Sequence, residues 1–385
     1  MFNYRGRMIG IVLGAVCLIA GPAWAQAGQV DALVRAHMAA RKIPGVSVAV
    51  VRDGKIVHTK GYGLANVELG VAASPDTIFQ SGSVGKQFTA ALAMRLVEEG
   101  RIGLDDPISK YITEAPSAWK AITVRHLLTH TSGISGAAYD RAINLRRDYT
   151  EEELIAEMAR LPLDFQPGEQ WRYSNPGYVA LGILIGRASG RFYGDLLAEK
   201  IFMPLGMATA RVISEADIVR NRAAGYRLVD GQLKNQIWVA PALNTTADGS
   251  LYLTVLDMAK WDAALYGQRV LKRASLDQMW SPARLTSGAE TDYGFAWFLG
   301  RHRGARFVRH GGAWQGFTTD IVRYPDRKLT VIVLANLAGA APGALGDKIV
   351  GAYEPDLAPT PPVKRTAVRV DPKLFHAYLG RYELE

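Results

Sequence analysis

Residues 83–100 read SVGKQFTAALAMRLVEEG, and the stretch places the hydroxyl of Ser83 and the amine of Lys86 one helical turn apart. Apolar residues recur at helical spacing as far as Leu96, and Gly100 suits the position just past a helix end. The pattern predicts a buried helix with the serine at its N-terminus. Unpaired backbone N–H groups and the positive end of the helix dipole favour an oxyanion there. With the lysine as a base, this arrangement suits acyl transfer through a serine ester.

An S-x-x-K pattern alone is weak evidence, because a chain of this length contains on the order of one such pattern by chance. The alternative interpretation is a serine that caps a helix and a lysine that faces solvent. Only further catalytic residues elsewhere in the chain can distinguish the catalytic interpretation from this one.

The composition and the first residues predict an exported, folded protein. Of the 385 residues, 49% are hydrophobic and 21% are charged, which is enough to bury a large core. Residues 1–25 combine two arginines, an apolar stretch and the tripeptide Ala23-Trp24-Ala25, which is typical of a secretory signal peptide cleaved before Gln26. We therefore expect a periplasmic or secreted protein.

Cysteine usage and charge narrow the classes of function. Cys17 is the only cysteine and lies in the signal segment, so the mature chain has no thiol nucleophile. The net charge is +9, but no zinc-finger, RNA-recognition or P-loop pattern accompanies it, and we expect no nucleic-acid partner. The apolar stretch of the signal is too short to span a bilayer, so we expect no integral membrane segment in the mature chain.

Strand patterns occur at both ends of the chain, and helical patterns lie between them. The strand patterns are residues 46–51, 55–60, 293–299, 306–310, 317–324 and 329–336. Residues 80–287 read mostly helical, with capping boxes that begin at Thr150 and Thr254. We expect an α/β fold of the α+β kind, in which an antiparallel sheet built from N- and C-terminal strands is flanked by helices. A mostly helical lobe is inserted, and the cleft between lobe and sheet is the expected active site.

A second cluster, Tyr173-Ser174-Asn175, lies in a loop just before an apolar helix. A tyrosine phenolate beside the Lys86 ammonium could take the serine proton and later return it to a leaving group. The amide of Asn175 could orient the lysine or bind a substrate carbonyl. Taken alone, a loop tyrosine with a structural hydrogen bond is the more common explanation of this short pattern.

A third cluster, His310-Gly311-Gly312-Ala313, lies at the end of a predicted strand. Paired glycines allow a ligand to approach the backbone closely. An extended edge there could present the Ala313 N–H as an oxyanion donor opposite that of Ser83, while His310 supplies a polar or cationic group to the cleft. The alternative is a glycine turn between two strands.

In this order the three clusters resemble the motifs of a known superfamily. Ser83/Lys86, Tyr173/Asn175 and His310/Gly312 match the S-x-x-K, Y-x-N and K/H-x-G motifs of the class C β-lactamase and DD-peptidase superfamily, the β-lactamase-related serine hydrolases. The superfamily includes penicillin-binding-protein-like esterases and D-aminopeptidases. Other stretches typical of it are residues 124–133, 167–175 and 204–207, so the resemblance covers about residues 30–353.

The resemblance implies a β-lactamase/transpeptidase-like fold and an acyl-enzyme mechanism without a metal or other cofactor. In that mechanism Ser83 is the nucleophile, Lys86 and Tyr173 share the acid/base work, and Asn175 orients. Which of the lysine and the tyrosine is the general base stays open, because two groups in contact titrate as a pair.

The third motif departs from the superfamily pattern. The resemblance assigns His310 and Gly312 to substrate binding, and the N–H groups of Ser83 and Ala313 to the oxyanion hole. Gly311 stands where members that grip a β-lactam or peptide carboxylate often carry threonine, and the histidine stands where true class C β-lactamases usually carry lysine. Both changes weaken carboxylate recognition, since each charge-assisted hydrogen bond contributes about 1.5–3 kcal/mol.

The expected function is therefore an exported serine hydrolase that cleaves esters or D-amino-acid-containing amides. The alternatives are a β-lactamase, a DD-carboxypeptidase, or a penicillin-binding sensor that acylates but barely turns over. In each case the partner is a small-molecule ester, D-peptide or β-lactam.

His126 and His130 raise a competing idea, a Ser-His-Asp triad or a zinc site, if the two share a helix face. No H-E-x-x-H or cysteine pattern supports that idea, so we expect structural hydrogen bonds from both. The expected organisation is a signal peptide at 1–25, a β-lactamase-like serine hydrolase domain at 26–354, and a Pro-rich linker with a short tail at 355–385.

Overall fold

The structure is a computed structural model that describes residues 22–360, 371–378 and 380. Its α-helices are α1 (Pro22–Arg41), α2 (Lys86–Glu98), α3 (Val124–Leu128), α4 (Gly136–Ala142), α5 (Glu151–Ala159), α6 (Asn175–Ser189), α7 (Tyr193–Leu197), α8 (Met203–Leu205), α9 (Val255–Ala264), α10 (Arg273–Met279) and α11 (Pro342–Tyr353). Its strands are β1 (Gly45–Arg52), β2 (Lys55–Asn66), β3 (Val71–Ala72), β4 (Phe79–Gln80), β5 (Arg211–Val212), β6 (Tyr226–Val229), β7 (Gln232–Asn235), β8 (Leu251–Leu253), β9 (Phe298–His302), β10 (Ala305–Trp314), β11 (Phe317–Tyr324) and β12 (Leu329–Ala335).

A seven-stranded antiparallel sheet joins the two ends of the chain in the order β3-β2-β1-β12-β11-β10-β9. The central pair is β1 and β12, with Val46 opposite Ala335. The strand patterns at 46–51 and 55–60 form the β1–β2 hairpin, and Asp53 and Gly54 at its turn have φ of 53° and 72°, as a type I′ turn requires. The predicted fold class is therefore confirmed.

Both faces of this sheet are covered, which explains why its central strands read as continuous apolar runs. In β1, Val46, Val48 and Val50 belong to the cluster that includes residues of α1 and α11. The alternate residues Ala49 and Val51 belong to the larger cluster that extends into the helical lobe. Each face of β1 therefore packs against an apolar cluster.

The helical lobe is built around α2, which is buried along most of its length and contacts α6, α7 and α10. The capping boxes predicted at Thr150 and Thr254 are confirmed, because each side chain accepts from the backbone N–H three residues on. Ser174 caps α6 by accepting from the Gly177 N–H, and Gly190 ends it with φ of 70°. Within the part of the chain that the structure describes, no helix is both long and apolar enough to cross a bilayer.

Three details of the predicted strands were wrong. The middle of the chain contains the short strands β5 to β8 as well as helices. Strand β9 begins only at Phe298, because Ala296 has φ of 61° and the Gly294 N–H donates to the Trp297 carbonyl in a turn. The residues expected at a strand end, 310–313, lie inside β10 and pair with β11.

The predicted ends of the chain are only partly described. Residues 1–21 of the predicted signal peptide and residues 361–370, 379 and 381–385 of the predicted tail lie outside the described residues. Residues 355–357, placed in the linker by the sequence, form a 3-10 turn, and Leu357 packs into the cluster beside α11. The domain boundaries themselves stay a prediction.

A buried ion pair fastens α9 to the sheet. Arg323 Nε of β11 lies 2.5 Å from Asp262 Oδ1 of α9, and the two side chains are 0% and 1% exposed. Thr330 Oγ1 of β12 donates to the same carboxylate oxygen at 2.6 Å. Removing one partner would leave the other charge buried without compensation.

We therefore expect Asp262→Asn to lower the free energy of unfolding by about 3–5 kcal/mol, measured by chemical denaturation. The matched control is Glu199→Gln, which breaks the exposed pair of Glu199 with Arg191. We expect no measurable change for the control, since exposed pairs contribute little. Equal stabilities of the two variants would contradict the prediction.

Candidate active site

Ser83 and Lys86 meet as the S-x-x-K pattern predicts. Ser83 lies in the 3-10 turn Gly82–Gly85, and this turn leads directly into α2 at Lys86. The geometry brings Lys86 Nζ to 3.0 Å from Ser83 Oγ. The lysine is 0% exposed, so the alternative of a lysine that faces solvent is wrong.

Lys86 Nζ donates to three acceptors from three parts of the chain. Besides Ser83 Oγ, these are Asn175 Oδ1 at 2.8 Å and the backbone carbonyl of Asp248. An ammonium has three protons, so all of them are used. A neutral Lys86 amine has two protons, and their bonds to Asn175 and Asp248 hold Nζ in place. Its lone pair then faces Ser83 Oγ and can accept the serine proton.

Tyr173 completes the group on the side of the helical lobe. Lys86 Nζ lies 5.0 Å from the centroid of its ring. The Tyr173 hydroxyl is buried and makes no hydrogen bond to any described residue. An unpaired buried hydroxyl destabilises the fold by about 1–3 kcal/mol, and such groups are retained mainly where they have a task. The first two motifs are thus brought together around one amine.

Strand β10 lies directly against the nucleophile turn. A Cβ at Gly312 would be 2.2 Å from the Ser81 carbonyl oxygen and 2.9 Å from Ser83 N. A Cβ at Gly82, which has φ of +50°, would be 2.4 Å from Ala313 N. Glycine is therefore required at both positions, and the segments that carry the two expected oxyanion donors are in close contact.

The edge of β10 that faces away from β11 is open over the third motif. Its pairing with β9 ends at Arg309 opposite Phe298, while pairing with β11 continues to Trp314. Residues 310–314 thus keep one edge that no described strand covers. A substrate can lie along this edge beside Ser83, and the alternative of a glycine turn at 311–312 is wrong.

His310 does not supply the cationic group that the sequence suggested. It is 1% exposed, and burial and then the Lys86 charge lower its pKa to about 3. Its Nδ1 lies 2.6 Å from the Gly311 carbonyl oxygen, and its Nε2 lies 2.9 Å from the Tyr293 hydroxyl. The histidine is neutral with both nitrogens occupied, so it has no free group with which to bind a substrate carboxylate.

The sequence analysis did not identify two residues of the site, Asp248 and Tyr293. Asp248 contributes a backbone carbonyl, which any residue could supply. The pKa of the Asp140 carboxyl is raised by burial and by Asp248, and the charges of Arg141 and Lys86 oppose this shift. Tyr293, which contacts His310, lies in a segment predicted to be a strand.

His126 and His130 make structural hydrogen bonds, as expected. His126 Nδ1 accepts from the Thr123 N–H at 3.2 Å in a capping box at the start of α3. His130 lies beyond the end of α3 with φ of 58°, so the two do not share a helix face. Over the described residues, no three His, Cys, Asp or Glu side chains converge in the manner of metal ligands.

Comparison with known proteins agrees with this geometry. A family model described as Beta-lactamase matches residues 30–352. The chain belongs to the beta-lactamase family. Members of this family are serine hydrolases, and the resemblance drawn from the three motifs is confirmed.

Relatives within the beta-lactamase family include proteins with different activities in their names. A penicillin-binding protein of Bacillus subtilis (strain 168) is 29% identical over 364 residues, which are 88% of this chain and 79% of that protein. A D-aminopeptidase of Brucella ovis is 29% identical over 91% of this chain and 66% of its own length. The solved D-amino acid amidase from Ochrobactrum anthropi SV3, complexed with L-phenylalanine amide, has a TM-score of 0.74 and 25% identity, covering 86% of this chain and 99% of that one.

We expect Gly312→Ala to lower kcat for a chromogenic short-chain ester by about 100-fold, because the new methyl group would push β10 away from the nucleophile turn. Gly311→Ala is the matched control, since a Cβ there meets nothing closer than 3.6 Å. The control should keep its turnover. A folded Gly312→Ala variant with wild-type kcat would contradict the close contact described above.

Proposed function

We propose that the protein is an exported serine hydrolase that cleaves esters or D-amino-acid-containing amides through an acyl-enzyme on Ser83. The observation that carries the proposal is the 3.0 Å contact of Ser83 Oγ with the buried Lys86 Nζ. Membership of a family of serine hydrolases supports the same chemistry. Export rests on the pattern of residues 1–25.

In the proposed reaction Ser83 Oγ attacks the substrate carbonyl while its proton passes to Lys86 or Tyr173. The N–H groups of Ser83 and Ala313 donate to the oxyanion, and Asn175 keeps the lysine amine in place. The proton then returns to the leaving alcohol or amine, and water hydrolyses the acyl-serine ester. Lys86 Nζ lies 5.0 Å from the ring centroid of Tyr173, so both groups are close enough to the serine to share the acid/base work.

The charges around the cleft favour substrates without a carboxylate at the third motif. His310 holds the position of the usual lysine, but burial and the Lys86 charge lower its pKa to about 3, so it is neutral. A substrate carboxylate would therefore find no cation at His310, whereas an ester or an amide with a free amino group does not need one. The similarity to a D-amino acid amidase and a D-aminopeptidase supports the amide branch of the proposal.

A β-lactamase, a DD-carboxypeptidase or a penicillin-binding sensor is the second candidate. The similarity to a penicillin-binding protein favours it. Hydrolysis of nitrocefin, a D-alanyl peptide, a D-amino acid amide and an ester, measured side by side, separates the enzymes. Mass spectrometry of the intact protein after exposure to a β-lactam identifies a sensor, because a sensor keeps a persistent adduct without turnover.

We expect Ser83→Ala to abolish turnover of a chromogenic ester, because the variant lacks the nucleophile. The protein should stay folded, since the substitution removes only one hydroxyl that faces the cleft. Circular dichroism checks the fold. Intact mass after treatment with a fluorophosphonate checks the site, since the wild-type protein should gain one adduct and the variant none. Turnover by the alanine variant would contradict the assignment of Ser83 as the nucleophile.

We expect Gly311→Thr to raise the rate of acylation by nitrocefin about 10- to 150-fold and to leave ester turnover nearly unchanged. The new hydroxyl would restore a hydrogen bond to the carboxylate of the β-lactam, and the backbone has room for a Cβ at this position. Gly311→Val is the matched control with the same shape and no hydroxyl. An equal gain in both variants, or no gain in Gly311→Thr, would contradict the account of the missing carboxylate contact.

A further inference from the structure

Tyr293 joins two buried histidines behind the catalytic group. Its hydroxyl lies 3.2 Å from His130 Nε2 and 2.9 Å from His310 Nε2. None of the three side chains is more than 1% exposed. A phenol has a single proton to donate, so the direction of each bond depends on which histidine nitrogens carry protons.

The proton on His310 is fixed by its other neighbour. Nδ1 faces the Gly311 carbonyl oxygen at 2.6 Å, and a carbonyl can only accept, so Nδ1 carries a proton. The ring is neutral because burial and the Lys86 charge lower its pKa to about 3. Nε2 therefore has a lone pair, and Tyr293 must donate to it.

The proton on His130 is fixed in the same way. The Ser174 backbone N–H donates to Nδ1 at 3.1 Å, so Nδ1 carries no proton. Burial, followed by the charges of Lys86 and His310, holds the pKa of His130 well below its usual range. The neutral ring has its proton on Nε2 and donates it to Tyr293. The bonds thus run in one direction, from His130 through Tyr293 to His310.

This chain of bonds connects the two sides of the cleft. The Ser174 N–H at one end lies between Tyr173 and Asn175, and the Gly311 carbonyl at the other end lies in β10, next to the glycine that touches the nucleophile turn. The ring of His130 also packs 4.2 Å from the ring of Tyr173, centroid to centroid. A shift in the chain of bonds would move the Tyr173 hydroxyl and β10 relative to each other.

We propose that Tyr293 is a positioning residue that holds the loop of Tyr173 and Asn175 in register with the oxyanion strand β10. It touches none of the reacting atoms and acts through His130 and His310. The inference rests on the proposed acyl-serine chemistry of Ser83, and it assigns a task to two histidines that the reaction itself does not use.

Tyr293→Phe tests the proposal because it keeps the ring and removes only the hydroxyl. His130 Nε2–H and His310 Nε2 are then left without partners, and the hydrogen-bonded link through Tyr293 is lost. We expect kcat for a chromogenic ester to fall about 10- to 100-fold, with KM within about twofold of the wild-type value. A fall in kcat at constant KM indicates loss of alignment in the transition state rather than loss of substrate binding.

Tyr193→Phe is the matched control. Tyr193 is 4% exposed, and its hydroxyl donates to the Thr246 carbonyl at 2.9 Å, so the substitution removes a buried phenol hydroxyl of similar strength. It leaves the His130–Tyr293–His310 chain intact. We expect its kcat to stay within about twofold of the wild-type value, and an equal loss in the control would overturn the proposal.

His130→Asn breaks the same link from the other side. Asparagine tolerates the left-handed backbone at this position, where φ is 58°, and its short amide can accept from the Ser174 N–H but cannot reach Tyr293. We expect the same fall in kcat as for Tyr293→Phe, and no further fall in the double variant, because both substitutions remove one connection. Losses that multiply in the double variant would overturn the proposal.

The rate of fluorophosphonate labelling of Ser83, followed by intact mass, separates this inference from the proposed function. The probe reports the alignment of nucleophile and oxyanion donors without any assumption about substrate. If the wild-type protein is labelled but hydrolyses no ester or amide, the substrate proposal fails, and a slower labelling of Tyr293→Phe still supports the positioning role. Wild-type labelling and wild-type kcat in Tyr293→Phe would overturn it.

Discussion

The buried amine of Lys86 is the group on which the arrangement of this protein depends. A fully buried amine is tolerated only when its protons are hydrogen-bonded, and here the acceptors come from the turn before α2, the start of α6 and the segment before β8. Three distant parts of the sequence must therefore converge on one atom. These three segments can take no other relative position without leaving one of the protons on that atom unpaired.

The buried Lys86 amine also affects the protonation of the histidines around it. Burial, followed by the Lys86 charge, lowers the pKa of both His130 and His310, so His310 brings no positive charge to the third motif. Burial and Asp248 raise the pKa of the Asp140 carboxyl, while Arg141 and the same Lys86 amine lower it. The close contact of Ser83 with Lys86 thus lies beside a neutral histidine in the third motif.

The sequence predicts those parts of the fold that depend on local patterns. The Asp53-Gly54 hairpin, the capping boxes and the three motifs could all be read directly, and the motifs meet as the family resemblance implies. The hairpin of β6 and β7 was missed although Asp230-Gly231 marks its turn in the same way. Asp248 acts through its backbone, and Tyr293 finds its partners 163 and 17 residues away, so neither leaves a local signal.

The pairing of β1 with β12 has a consequence for how the protein folds. Gly45 N donates to Asn336 Oδ1 across 291 residues of sequence, and His37 reaches the Ala340 carbonyl in the same way. Loop closure of this length is entropically unfavourable and slow, so the central strands of the sheet cannot form before nearly the whole chain is available. A nascent chain can form the β1–β2 hairpin, but the edge of β1 that pairs with β12 stays open through most of its synthesis, with its apolar residues accessible to chaperones or to aggregation.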